Sequence, residues 1–146
     1  LVPPAATTAG PPVWLGAQAD EVVRMAARVA DGWNGWGMDV EAFRAKATLL
    51  DREARAAGRT AAATWAGIVL VGSDDAEAEM LLERRHAKGM TDGVWSGGVE
   101  RFIGFLDGLA AAGADWAVFV VAGPADRRDL LTDEVLPRLG SRIAAD

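Results

Sequence analysis

Residues 13–34 read Val-Trp-Leu-Gly-Ala-Gln-Ala-Asp-Glu-Val-Val-Arg-Met-Ala-Ala-Arg-Val-Ala-Asp-Gly-Trp-Asn, and they decide the fold. The run Val13-Trp14-Leu15 is short, apolar and ended by Gly16, the pattern of a buried strand. From Asp20 to Ala30 the apolar residues Val22, Val23, Ala26, Val29 and Ala30 recur at helical spacing, with Glu21, Arg24 and Arg28 on the other face. Asp20 and Glu21 fall in the first turn, where the helix dipole favours negative charge. Gly32-Trp33-Asn34 then reads as a second short strand. The unit is strand, turn, helix, strand.

Working outward, the same unit recurs. Gly35-Trp36-Gly37 reads as a loop, and a helix follows from about Val40 to Ala57 with Gly58 as its stop. Ala61–Val71 is rich in β-formers and predicts a strand. Ser73 is the expected cap of a third helix reaching about Lys88, with Asp74, Asp75 and Glu77 in its first turn. Gly89–Gly98 reads as a Gly-rich loop, and Val99–Ala112 as a helix with a stripe of Phe102, Ile103, Leu106 and Leu109, stopped by Gly113. Trp116–Val121 is continuously apolar, as expected of a strand covered on both faces. Arg127–Leu139 is a last helix, and the Pro-rich residues 1–12 an extended connector. Alternation of this kind predicts about four mostly parallel strands joined by right-handed helical crossovers, an α/β fold in one domain over residues 1–146.

Composition narrows the function classes. The 146 residues are 51% hydrophobic and 25% charged, with a formal charge of -6. An acidic chain without a basic face is not expected to bind nucleic acid. With no cysteine there is no disulfide, thiolate metal site or cysteine nucleophile, and the cytoplasm is the expected location. No apolar run approaches the roughly 20 residues of a membrane span. Leu1-Val2-Pro3-Pro4-Ala5-Ala6 has neither a charged n-region nor an initiator Met, which reads as the middle of a longer chain rather than a signal peptide.

Three segments carry a resemblance. Pro11-Pro12-Val13-Trp14-Leu15-Gly16-Ala17 precedes a helix that ends in Ala30-Asp31-Gly32-Trp33; Gly93 to Ala114 forms a Gly-rich lead, a helix and the approach to a strand; and Glu134-Val135-Leu136-Pro137-Arg138-Leu139 closes the chain. In this order and spacing they resemble the luciferase-like monooxygenase family of flavin- and coenzyme F-420-dependent oxidoreductases. The resemblance implies a (β/α)8 TIM barrel, which usually takes about 250 residues or more. Half of one is present, so the chain resembles the C-terminal half, with an extra strand in an insertion.

The resemblance also implies site residues. Gly16, Ala17 and Gln18 would meet the phosphate arm of the cofactor, with Ala17 standing where the family has a second glycine. From the residues alone that turn is a plain strand-to-helix connection. Trp33, Asn34 and Trp36 would line the substrate and cofactor pocket, Trp33 reading equally as a core residue. Ser96 reads as a helix cap, and with Gly97 as a second contact to phosphate or to a partner subunit; the loop before it is a lid candidate. His86, the single histidine, sits among Glu83, Arg84, Arg85 and Lys88 and reads as solvated. No residue set has metal-ligand spacing, and no catalytic residue is identifiable. The expected cofactor is FMN or F-420 in the intact barrel, acting on a small molecule. The expected partner is the missing N-terminal half or a second copy in a homodimer. The competing readings are a non-catalytic self-association module built on a half barrel, whose open sheet edges invite pairing, and a free-standing α/β binding domain.

Overall fold

Each sequence run that alternates short β-rich and long helical stretches takes that form in the computed structural model, which describes residues 10–91 and 93–143. The order is β1 (Trp14–Gly16), α1 (Asp20–Val29), β2 (Gly32–Trp36), α2 (Val40–Ala56), β3 (Ala62–Gly72), α3 (Asp75–Ala87), β4 (Val94–Gly98), α4 (Val99–Ala111) and β5 (Trp116–Val121). A last helical stretch runs through α5 (Asp126–Leu130), a π turn (Leu131–Val135) and α6 (Leu136–Ile143). Residues 1–9 of the expected connector, and Asp92 in the expected lid loop, lie outside the described residues.

All five strands are parallel. β1 pairs β2, β2 pairs the first half of β3, and β5 pairs β3 from Thr64 to Val69. Thr64, Trp65 and Ala66 pair both β2 and β5, so those two strands lie on opposite edges of β3; Ile68 and Val69 pair both β4 and β5. β4 therefore shares an edge with β2 and continues the sheet beyond the carboxyl end of β2. The order β1-β2-β3-β5, with β4 as an inserted extra strand, is half of a (β/α)8 barrel.

Handedness then distributes the helices. Steps β1→β2→β3 and β4→β5 run one way across the sheet, and right-handed crossovers put α1, α2 and α4 on one face. The step β3→β4 runs back, so α3 must cross on the other face. The packing agrees. α1 packs on α2, and α2 on α4. Their apolar residues form one core with Trp33, Trp65, Val69 and Val71, whereas Leu81 of α3 joins a separate cluster with Leu70 and Ala122.

Four local expectations are corrected. Gly35 and Trp36 continue β2, because their backbone pairs Trp65 and Ala66. The stretch read as a Gly-rich loop contains β4, since the long β3 leaves Ile68–Gly72 unpaired once β2 ends. The last helix is interrupted by a π turn, with the Leu136 N–H bonded to the Leu131 carbonyl just before Pro137, which has no N–H to give. At α3 the cap is Asp74, not Ser73: Asp74 accepts from the Glu77 N–H at 2.8 Å, and Ser73 instead donates its N–H and hydroxyl to the Glu77 carboxylate.

Two aspartates fasten the amino ends of the strands. Asp31 accepts from the Val13 N–H at 2.7 Å, and Asp115 from the Ala63 N–H at 2.8 Å. Each acid stands just before a strand and ties the start of the neighbouring strand to it.

Candidate functional site

Along a strand, alternate residues face opposite sides. In β2, Trp33 and Gly35 face the helices, and Asn34 and Trp36 face away. The sheet register aligns Gly16, Asn34, Thr64 and Trp116 at one level, and Trp36, Ala66 and Val118 at the next. These residues form the open face, where Trp14, Asn34, Trp36, Thr64, Ala66, Trp116 and Val118 enclose a groove of about 480 Å³. Trp36 is 50% exposed and Trp116 64% exposed. The Trp14 indole lies across Gly32, where a Cβ would come within 2.2 Å of it, and donates to the Thr64 hydroxyl at 3.0 Å. It forms one wall of the groove.

The groove is almost wholly apolar. Its polar members are Asn34, Thr64 and the indoles. The Asn34 Oδ1 is buried and has no hydrogen-bond partner. A buried carbonyl oxygen without a donor is costly, and a donor brought by a bound molecule would satisfy it. No Asp, Glu, His or Lys lines the groove.

The β1–α1 turn stands at the carboxyl ends of β1 and β2, the rim where sites form in barrels of this kind. The Gln18 amide donates to the Trp36 carbonyl at 2.9 Å, and the Trp33 indole donates to the Ala17 carbonyl at 2.7 Å. The turn and the end of β2 are thus fastened to each other at one common mouth. Ala19 is the N-cap of α1 and offers no side-chain acceptor, so the first N–H groups of the helix keep their positive pole. Asp20 in the same turn is held by Lys46, whose hydrogen bond and charge lower the carboxyl below its ordinary value.

The other expected site residues fall elsewhere. Trp33 is fully buried on the helix side, its ring stacked on Phe43 at 5.6 Å, so it belongs to the core and not to the pocket. Ser96 is not a cap. It lies within β4 and its hydroxyl donates to the Ala78 carbonyl of α3, while Gly98 is the N-cap of α4. Gly97 is covered by the Trp95 ring, where a Cβ would meet it at 2.9 Å. Ser96 and Gly97 are enclosed between α3 and α4 because β4 is sandwiched there, and neither lines the groove. His86 is exposed. Among the described residues no group of acidic or histidine side chains could hold a metal ion, and no helix is long and apolar enough to cross a membrane.

A further cluster at the mouth was not anticipated. Arg127, largely buried, donates to Glu77 at 2.8 Å and clasps Asp126 with Nη2 at 2.8 Å and Nε at 3.1 Å. Hydrogen bonds from the Ser73 N–H and hydroxyl, with that from Arg127, hold the Glu77 carboxyl below its ordinary value, and the acids raise Arg127 above its own. The sequence signal is slight: Ser73 and Glu77 are one helical turn apart, but Arg127 is distant in the chain. A larger cavity of about 800 Å³, lined by Leu106, Phe119, Leu136 and Leu139 among others, lies behind β5 on the helix side, away from the mouth.

A family profile described as luciferase-like monooxygenase matches residues 1–132. The chain belongs to the luciferase-like monooxygenase family. No curated protein matched it. Solved structures share its fold. A coenzyme F-420-dependent tetrahydromethanopterin reductase from Methanopyrus kandleri superposes with a TM-score of 0.68 at 18% identity, over 87% of this chain and 50% of that one. An EDTA monooxygenase from a Chelativorans species gives 0.73 at 18% identity, over 91% and 47%. A riboflavin lyase solved with modified FMN and riboflavin gives 0.72 at 13% identity, over 94% and 44%. This luciferase-like chain spans about half the length of each.

Proposed function

We propose that the chain is the C-terminal half of a luciferase-like oxidoreductase or monooxygenase that uses FMN or F-420, working in the cytoplasm on a small molecule. The observation that carries this reading is the apolar groove on the open face, which reaches the carboxyl end of β2 at Trp36, with the unpartnered Asn34 Oδ1 buried in its wall. The residues present fit a flat, phosphate-bearing cofactor. Gly16, Ala17 and Gln18 at the uncapped start of α1 would meet its phosphate. Gly16 leaves room, since a Cβ there would meet nothing nearer than the Asn34 carbonyl at 3.8 Å. The exposed Trp36 ring offers an apolar plane, and Asn34 an acceptor for a donor on the ring or the substrate. When bound, the cofactor supplies the hydride or oxygen chemistry.

This chain's own residues bind and orient. The groove has no general acid or base, so the proton-handling groups belong to the remaining half of the barrel. That half is the proposed partner. The F-420-dependent reductase and the FMN-containing riboflavin lyase among the similar structures support the cofactor pair.

The test is a titration of FMN and of F-420, separately, into the chain alone and into the chain joined to the N-terminal half from its own gene. Binding is expected in the completed barrel, with N34A weakening it about tenfold. Absence of binding in every mixture overturns the reading. A second reading, a self-association module without catalysis, rests on the open apolar face and on β1 and β5, each of which has one strand neighbour among the described residues. Light scattering separates it: a monomer at high concentration removes it, and a stable homodimer that binds neither cofactor favours it.

A further inference from the structure

Helix α3 crosses on the open face because the β3→β4 step runs backwards; its first turn meets the carboxyl ends of β3 and β4 at Gly72 and Gly98, and its last turns run back toward the amino end of β4. There Arg84, Arg85 and Lys88, with Leu70 below and the Gly123-Pro124 turn after β5 beside them, line a cavity of about 500 Å³. No carboxylate lines it. None of the three cations has an ion pair among the described residues, although the chain carries a net charge of -6. Arg84 and Arg85 reach only the sulfurs of Met80 and Met90, at 3.6 and 3.8 Å. The Arg85 Nε is buried and has no acceptor.

The nearby Arg127 shows what a satisfied guanidinium looks like here. Gly123 touches it, since a Cβ on that glycine would meet the Arg127 Cγ at 3.3 Å, and its charge is already matched by Glu77 and Asp126. The helix dipole accounts for cations at the end of α3. It does not account for a buried guanidinium N–H without an acceptor beside an empty space that no acid lines.

Below this cavity Leu70 and Ile68 belong to the small cluster that α3 covers with Leu81 and Leu82, while Val120 and Val118 of the neighbouring β5 stay exposed on the same face and lead to the groove walled by Trp36 and Trp116. Ala66 and Leu70 are four residues apart, about 13 Å at the rise of a strand. We propose that Arg84, Arg85 and Lys88 form an anion subsite for an elongated organic anion, whose carboxylate, phosphate or sulfonate head they hold and whose apolar body lies on Val120 and Val118 toward Trp36. The planar fork of Arg85 suits such a head, and burial of the apolar body supplies the remaining affinity. The inference stands on these residues alone and does not depend on any cofactor.

Calorimetric titration of the chain with decanoate and with 1-decanol tests it, because the two share a body and differ in charge. Decanoate is expected to bind more tightly, and to weaken as sodium chloride rises from about 50 to 500 mM. The variant R84Q/R85Q/K88Q should lose tenfold or more of decanoate affinity and leave decanol unchanged. R85K, which keeps the charge and removes the fork, should fall between. V118S/V120S should weaken both probes. Unaltered decanoate binding in the triple variant, an equal loss for both probes, or no decanoate binding to the parent chain overturns the proposal. Thermal melts of each variant show that it is folded. FMN and F-420 are absent throughout, so the result is separate from that of the cofactor titration.

Discussion

The two faces of the sheet carry three tryptophans each, and the fold treats the two sets in opposite ways. On the helix side, Trp33 and Trp65 are fully buried, and Trp95 packs between Phe102 and Phe105 at 5.1 Å from each. Trp65 meets Phe105 edge-on at 5.1 Å and donates its indole N–H to the Met38 carbonyl at 2.8 Å. On the open face, Trp14, Trp36 and Trp116 are 40%, 50% and 64% exposed. A folded chain rarely leaves so much aromatic surface in one patch unless something covers it. The helix face holds this half together, and the open face is shaped for what it receives.

That comparison is easily broken. W65A or W33A should destabilise the chain by about 3–5 kcal/mol in urea unfolding, because each leaves a large cavity in a closed core. W116A should change stability by no more than about 0.5 kcal/mol, as an exposed position does. Equal losses at Trp65 and Trp116 would mean that the open face is covered in solution.

A subtler test uses glycine. In Trp33-Asn34-Gly35, Trp65-Ala66-Gly67 and Trp95-Ser96-Gly97, the glycine two places on shares the face of the tryptophan, and the indole lies over it. A Cβ at Gly67 would come within 2.5 Å of the Trp65 ring. G67A should therefore cost about 1–3 kcal/mol through overpacking, whereas G16A, on the open rim, should leave the melting temperature close to that of the parent. D115A, which removes the acceptor for the Ala63 N–H, should cost about 1–2 kcal/mol by leaving that donor unsatisfied.

The smallest expected effect is electrostatic. The folded carboxyl of Glu77 lies below its ordinary value of about 4.3. The folded state therefore binds a proton less readily than the unfolded chain. The stabilisation is complete above the ordinary value and is lost as pH falls through the folded one. Melting temperature measured from pH 6 down to pH 3 should fall more steeply for the parent than for E77Q. Parallel slopes would mean that the Ser73–Glu77–Arg127 bonds do not form.

Much of this was legible in the chain. Helical spacing in α1 and α4, acids in first turns and the apolar run of β5 announced alternating strands and helices, and with them a parallel sheet. The resemblance pointed to Gly16, Asn34 and Trp36, and the fold gathers them at one rim. The Trp-x-Gly repeat was also present in the sequence, but Trp14-Leu15-Gly16 shares it on the open face, so it pairs two residues on one face without saying which face is the core. β5 was read as covered on both faces because its composition suits burial. One face is open, and composition records what a surface is fit for rather than what lies against it.

The sequence by itself determined the local elements, because spacing, caps and stops act over a few residues. Only the tertiary structure decided which tryptophans face inward, that β4 forms on the free upper edge of β3, and that α3 turns to the opposite face, bringing Arg84, Arg85 and Lys88 beside Leu70 and the Gly123-Pro124 turn. The physical reason is that pairing and handedness act between segments far apart in the chain. A strand's pattern fixes its two faces, but only its neighbours and the direction of its crossovers decide which of them meets a helix.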